Sequence, residues 1–337
     1  MTARRRAPLA FVAWAAGDSR PRSLAGALGG DTRTFYDLGI VRRPLVPLRY
    51  AVSALRTCAY LAARRPRVLV VQCPPAPLAI IAWAYGRLAG AAVMLDAHPA
   101  AFGDGSRSAA AAMRALLEWL APRTRACLVA TSELARLVES WGGRALVVHE
   151  PPPYWPAPEA AVDRDTARPR VLFVSTLAPG EPLGEVLEAA RLLPEVEFGI
   201  TGDVRRLARG VRAAAPPNVR WLGYLPGRRY AAALADSTVV LTLDERDQSV
   251  PRSAYEAIYA RRPLVTTDRP RMRELFPHAV HVENRGRPIA EGLRRCLDSA
   301  GQDPDRAAAA LELQRERWAG HLAALRAVIQ GSRTAGS

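Results

Sequence analysis

Lysine is absent. All 47 basic residues among the 337 are arginine, set against 32 acidic ones, so the net charge is +15. Complete replacement of one basic residue by the other points to a GC-rich genome rather than to a separate guanidinium function at every position. The surplus charge still favours anionic partners such as nucleotides, phospholipid surfaces or nucleic acid. The marks of a nucleic-acid module are missing, however: no zinc-ligand spacing, no aromatic-rich RNP stretch, no basic region feeding a heptad. No nucleic-acid partner is expected.

Cysteine is scarce too. Cys58, Cys73, Cys127 and Cys296 lie far apart, three of them in apolar or helical surroundings. They read as small buried hydrophobes in a reducing compartment, not as a disulfide set or metal site. Long apolar runs are lacking as well. LAIIAWAYGRLAGAAVML is broken by Arg87 and Gly90 and reads as helix then strand, so no membrane span is expected. The start, MTARRRAPLAFVAWAAG, imitates a signal peptide, but its apolar run stops at Gly17-Asp18-Ser19-Arg20. Phe11–Trp14 suits a first buried strand ending in a Gly turn. No internal repeat is visible.

What is present is alternation. Strand-like runs at Leu9–Ala13, Val68–Gln72, Ala92–Asp96, Ala126–Ala130 and Ala145–His149 are separated by helical runs at Leu48–Arg64, Pro77–Ala89, Ser108–Leu120 and Ser132–Trp141. EPPPYWPAPEAAVDRDTARP then breaks the pattern, as an interdomain linker does. The alternation resumes with strands at Arg170–Ser175, Glu197–Thr201, Val219–Leu222, Thr238–Leu243, Leu264–Thr267 and Ala279–Val282. Helical runs at Pro182–Leu193, Arg228–Asp236, Ser253–Ala260, Ile289–Ser299 and Asp305–Val328 accompany them. This predicts an α/β protein of two doubly wound, Rossmann-like domains facing a cleft. The expected boundaries are 1–150 for the first domain, 151–168 for the linker and 169–302 for the second domain. A C-terminal helix over 303–330 and a solvated tail over 331–337 complete the chain.

In such domains ligands bind past the C-terminal ends of strands, where helix N-termini expose unpaired N–H groups. After the first strand of the second half, Ser175, Thr176 and Gly180 offer donors to a phosphate or form an ordinary turn into a helix with Pro182 at its first position. In ITGD, Gly202 admits close approach to the backbone, while Asp203 suits a helix cap. The stretch DERDQSVPRSAYEAIYARRPLVTTD carries more. Gln248, Ser249, Val250 and Pro251 lead into a helix whose N–H groups would face an anion. Glu256, one turn in, either accepts hydrogen bonds from a vicinal diol such as ribose or closes a Ser253-x-x-Glu256 capping box.

These residues resemble the large retaining glycosyltransferase group of GT-B architecture (group 1, family 4-type). Tyr255-Glu256-Ala257 followed by Arg261-Arg262-Pro263-Leu264-Val265 is similar to the segment that carries the group's Glu-x7-Glu motif. NVRWLGYLPGRRYAAALADSTVVL (Asn218–Leu241) is similar to its strand, Gly-aromatic, helix, strand segment. RRPRVLVVQCPPAPLAIIAWAYGRLAGAAVMLDAHPAAF matches its first-domain pattern ending in Asp-x-His. The resemblance spans most of residues 9 to 300 and implies a transferase using a nucleotide-diphosphate sugar as donor substrate, with no cofactor and no metal. It gives Glu256 the donor ribose, Gln248 the place of the first Glu at the sugar hydroxyls, and Ser249, Val250 and Pro251 the diphosphate. His98, after Asp96, would face the anomeric centre. These two are the catalytic candidates, and Gly202, Thr176 and Arg252 join the donor-binding set.

Two departures stand out. Gln248 is an uncharged amide where the group has a carboxylate. The Arg and Lys that neutralise the diphosphate are replaced by STLAPGEPLGEV, with Glu181 and no base, leaving Arg205, Arg206 or Arg252 to supply charge. The Asp163–Asp165 and Asp244–Asp247 strings lack further ligands for a metal. The run Leu48–Arg65 is either a basic amphipathic helix on an anionic membrane, meeting a lipid-linked or glycan acceptor, or a packed helix with a solvated basic face. The expectation is a cytoplasmic hexosyltransferase of envelope or glycoconjugate biosynthesis, peripheral on the inner face of the membrane. Two alternatives stand beside it: a non-catalytic binding protein of the same fold, and a nucleotide-sugar epimerase drawing on His98, Asp96 and Glu150.

Overall fold

Short runs of buried aliphatic residues build both sheets, as strands covered on two faces require. A computed structural model describes residues 8–15, 19–36, 46–103, 108–153, 168–246, 250–299 and 304–331. The chain divides into two units, Met1–Tyr154 with Arg317–Ser337, and Trp155–Glu316. Most of the expected linker lies outside the described residues, as do Asp163, Asp165, Asp247, Gln248 and Ser249.

The first unit holds β1 (Leu9–Ala13), α1 (Ser19–Leu28), β2 (Asp31–Thr34), α2 (Val46–Arg64), β3 (Val68–Cys73), α3 (Ala76–Ala89), β4 (Ala92–Ala97), α4 (Ser108–Leu120), β5 (Ala126–Val129), α5 (Ser132–Ser140) and β6 (Ala145–Val147). Its six strands pair in parallel in the order β2-β1-β3-β4-β5-β6. Leu61, Leu78, Ala82, Leu117 and Val138 of α2 to α5 are buried in one hydrophobic cluster with the sheet. Leu24 of α1 and Leu325 and Val328 belong to another.

The second unit holds β7 (Arg170–Phe173), α6 (Leu183–Leu192), β8 (Glu197–Thr201), β9 (Val219–Gly223), α7 (Gly227–Asp236), β10 (Val239–Thr242), α8 (Arg252–Tyr259), β11 (Leu264–Thr267), α9 (Pro270–Leu275), β12 (Val280–Val282) and α10 (Gly286–Ser299). Its sheet, also parallel, runs β12-β11-β10-β7-β8-β9. Phe173 and Phe198 are fully buried in it, each contributing about 1.5–3 kcal/mol through apolar burial. Helix α11 (Pro304–Gln330) gives Ala310 and Leu311 to the core of the second unit and Leu325 and Val328 to that of the first. The expected doubly wound α/β class therefore holds in both units.

Three elements are additional to the expected set, one of them the short α9. β2, DTRT, is an exposed polar edge strand, and α1 begins where a turn was expected after the first strand. In the second unit the chain starts at β7, steps outward to β8 and β9, and returns to β10 on the other side. The strand order thus reverses between β7 and β10, which is where a doubly wound sheet offers a ligand crevice.

Candidate functional site

The two loops at that reversal point, after β7 and after β10, are joined by the Glu245 N–H, which donates to Gly180 O at 2.8 Å. Beyond the second loop, α8 starts at Arg252 with Pro251 as its N-cap and no side-chain cap. Ser253 Oγ instead meets Thr242 Oγ1 at 2.5 Å in the core. The capping-box alternative for Glu256 is therefore not formed: Ser253 lies inside the helix, with its hydroxyl facing β10.

Glu256 is held from two sides. Its Oε2 accepts from the Tyr230 hydroxyl of α7 at 2.6 Å, and its Oε1 accepts from Arg252 Nε, one turn earlier, at 2.9 Å. The side chain is 12% exposed. Tyr255 is buried edge-on against Phe276, ring centroids 4.8 Å apart, which fixes the rotation of α8 about its axis. Burial, and then the Glu256 charge, push the Tyr230 hydroxyl well above its usual pKa, so it stays a proton donor. A carboxylate has about four acceptor positions, so the two bonds to Tyr230 and Arg252 leave capacity for a diol. Val250, half-buried, packs against the same core as Tyr255.

The loop after β7 is built as tightly. Ser175 N–H donates to Thr201 Oγ1, which donates back to Ser175 O, both at 2.9 Å. Leu177 adopts φ +57°, with its N–H on Ser175 Oγ at 2.8 Å. Gly202 has φ +118°, and a Cβ there would stand 2.7 Å from Leu177 Cγ. Its bareness is explained by this close packing of loop on loop. Thr176 and Ser175 do not face outward with free donors: Glu181 takes them, with Ser175 Oγ at 2.6 Å and Thr176 Oγ1 at 3.0 Å.

Of the arginines expected to supply charge, Arg205 forms a fork with Asp203 at 2.8 and 2.9 Å, holding that carboxyl below its usual range. Arg252 serves Glu256. Arg206 Nη1 reaches Thr176 O at 3.5 Å and lines, with Glu181, Leu183 and Leu207, an open hollow of about 270 Å³. Arg246, unforeseen from sequence, crosses above Gly180 and pairs with buried Asp244 at 2.6 Å. Nothing in its spacing marked it, because only the fold brings 246 beside 180.

The remaining candidates are in the first unit. Asp96, at the end of β4, is buried and gripped by Arg20 at 3.0 to 3.2 Å. Arg20 also donates to Glu150 at 3.0 Å and to the carbonyls of Val148 and His149. The two carboxylates nominated as acid–base groups thus share one guanidinium. His98 is exposed, and its Nδ1 accepts from Ala100 N–H at 3.2 Å, which leaves the proton of the neutral ring on Nε2. Among the described residues no cluster of three or more His, Cys, Asp or Glu could hold a metal ion, and no helix is long and apolar enough to cross a membrane.

Residues 184–328 match a family described as glycosyl transferase-like. No curated protein matches the chain by sequence. The fold is similar to that of sucrose-phosphate synthase from Thermosynechococcus elongatus, with TM-score 0.71, 13% identity, and coverage of 98% of this chain and 100% of that one. It is also similar to Anabaena HepE solved in complex with UDP, with TM-score 0.67, 12% identity and coverage of 96% and 99%. A protein assigned as a UDP-N-acetylglucosamine 2-epimerase from Listeria monocytogenes gives TM-score 0.58, 11% identity and coverage of 90% and 91%. The architecture is GT-B, and the glycosyl transferase-like match covers most of the second unit.

Proposed function

We propose that the protein is a glycosyltransferase that moves a hexose from a nucleoside diphosphate sugar to an acceptor hydroxyl, with retention and without a metal. The observation that carries this reading is Glu256: a carboxylate held by Tyr230 and Arg252 at the reversal point of the second sheet, with acceptor capacity left for a ribose diol. The glycosyl transferase-like match over 184–328 and the UDP complex of HepE support it. In this account Glu256 grips the ribose, and the N–H groups from Val250 into α8 meet the diphosphate. Gln248 and Ser249 act in the same loop on the sugar and the phosphates. His98 donates its Nε2 proton to an oxygen of the donor sugar, while Asp96, held by Arg20, positions the end of β4.

The epimerase reading loses ground, because it needs Asp96 and Glu150 free for proton transfer and both are bound to Arg20. The binding-protein reading is favoured by one observation, that Glu181 fills the donors of the β7 loop. Thermal stability of the full chain against a panel of nucleoside diphosphate sugars, followed by transfer of labelled sugar to simple acceptors, separates the two. The enzyme account expects one nucleotide class to stabilise the protein and slow hydrolysis or transfer to follow. Stabilisation without any turnover would leave the binding protein.

The acceptor side is proposed to meet an anionic membrane through the outer face of α2. Leu48 and Leu55, seven residues apart on that helix, are 54% and 72% exposed, and Leu88 of α3 is 89% exposed. No Asp or Glu occurs between Asp37 and Asp96, whereas eight Arg do. Apolar exposure flanked by charge of one sign suits an interface with anionic lipid. The protein should co-sediment with phosphatidylglycerol-rich vesicles and not with phosphatidylcholine, and Leu55→Glu should abolish this. Equal recovery with both lipids would refute the docking.

A further inference from the structure

The β7–α6 loop is where donor phosphates would be expected at a strand reversal, and its donors are already satisfied by the chain itself. Glu181 Oε2 accepts from Ser175 Oγ at 2.6 Å, Thr176 N at 2.9 Å and Ala178 N at 3.2 Å. Its Oε1 accepts from Thr176 Oγ1 at 3.0 Å and shares the Thr176 N–H at 3.2 Å. Two backbone N–H groups and two hydroxyls thus converge on one anionic group, the arrangement by which backbone nests hold phosphates. Two features away from Glu181 also brace the loop: the fit of Gly202 beneath Leu177 and the reciprocal Ser175–Thr201 bonds. Its shape is therefore not set by the carboxylate alone. Two cations stand near, Arg206 on the Thr176 carbonyl and Arg246, already paired with Asp244, above Gly180.

We propose that Glu181 is an internal occupant of the phosphate-binding loop, and that the donor's phosphates bind by displacing it, which makes Glu181 the residue that sets affinity for phosphate-bearing ligands. This rests on the donor-binding reading above. Displacement exchanges the four donors from carboxylate to phosphate oxygens, and the freed Glu181 side chain turns toward the open hollow it lines with Arg206. The bare nucleoside makes no claim on these donors, so its affinity is independent of Glu181. A merely structural Glu181 has no reason to distinguish the two ligands.

The test is calorimetric titration of the full chain, wild type, Glu181→Gln and Glu181→Ala, with UDP, uridine and inorganic pyrophosphate, after checking that each variant melts cooperatively. Glu181→Ala is expected to bind UDP and pyrophosphate about tenfold tighter than wild type, the difference of one charge-assisted set of hydrogen bonds, with uridine unchanged. Glu181→Gln, which keeps the side-chain volume and one accepting oxygen, should fall between. UDP binding that is equal in all three, or weaker in the variants, overturns the displacement and leaves the donor reading intact. Pyrophosphate tightening in Glu181→Ala with no UDP or uridine binding keeps the displaced anion and removes the nucleotide. No binding of any ligand by any form removes both.

Discussion

Tyr230→Phe removes one atom from the support of Glu256. The hydroxyl bridges α7 to α8 at 2.6 Å, and the bond ends on an ionised acceptor. Such bonds contribute about 1.5–3 kcal/mol. Arg252 still holds the other oxygen, and the partial exposure of Glu256 lets water reach the vacated lone pair, so the lower end applies. A loss of about 1.5 kcal/mol lowers the melting temperature of a unit of this size by about 3–6 °C. Scanning calorimetry reads this directly. Combining the change with Glu256→Gln in a double-mutant cycle should return a coupling of about 1 kcal/mol, since the amide weakens the same bond. A melting temperature within one degree of wild type, or additive single changes, would refute the claim that Tyr230 holds the carboxylate in place.

Two further predictions concern the first unit. Arg20→Ala strands Asp96 and Glu150, both largely buried, and should cost about 3–5 kcal/mol in urea unfolding, whereas two independent surface pairs would cost far less. His149 is held neutral, its pKa pushed down to about 3 first by burial and then by His321, Arg317 and Arg20. The unfolded chain binds that proton near pH 6.5 and the folded chain does not, so stability falls as pH drops from about 6.5 toward 3. His149→Gln should make the slope of unfolding free energy against pH shallower by about one proton over that window; an unchanged slope would contradict the assignment.

Much of the fold was legible because its strands are buried on both faces. β1 and β11 have the expected bounds, as does α4, since short buried runs of aliphatic and β-branched residues and helical periodicity stand out between polar turns. β2 was not legible. Its Asp-Thr-Arg-Thr carries no apolar signal, and an edge strand is recognised only by the neighbour it pairs with, here β1. α1 was hidden by Pro21 and Gly26, which read as turn residues until α1 is seen packed beneath β1. At the site, the position of Glu256 was readable from spacing, but its partner Tyr230 lies 26 residues away on another helix. The Ser-x-x-Glu pattern pointed to a cap because spacing does not say where the helix starts. Glu181 was visible as a missing base. That it turns back onto Thr176 depends on the left-handed Leu177, a conformation no propensity assigns to leucine.

In the proposed mechanism Glu256 grips the ribose of a nucleotide donor. Titrating UDP and 2′,3′-dideoxy-UDP into the wild type and Glu256→Gln tests it most directly. The account predicts that the amide weakens UDP by about ten- to a hundredfold, the worth of hydrogen bonds to a charged acceptor, and the dideoxy ligand by less than about twofold. Equal losses for both ligands would contradict it, as would a wild type that binds neither.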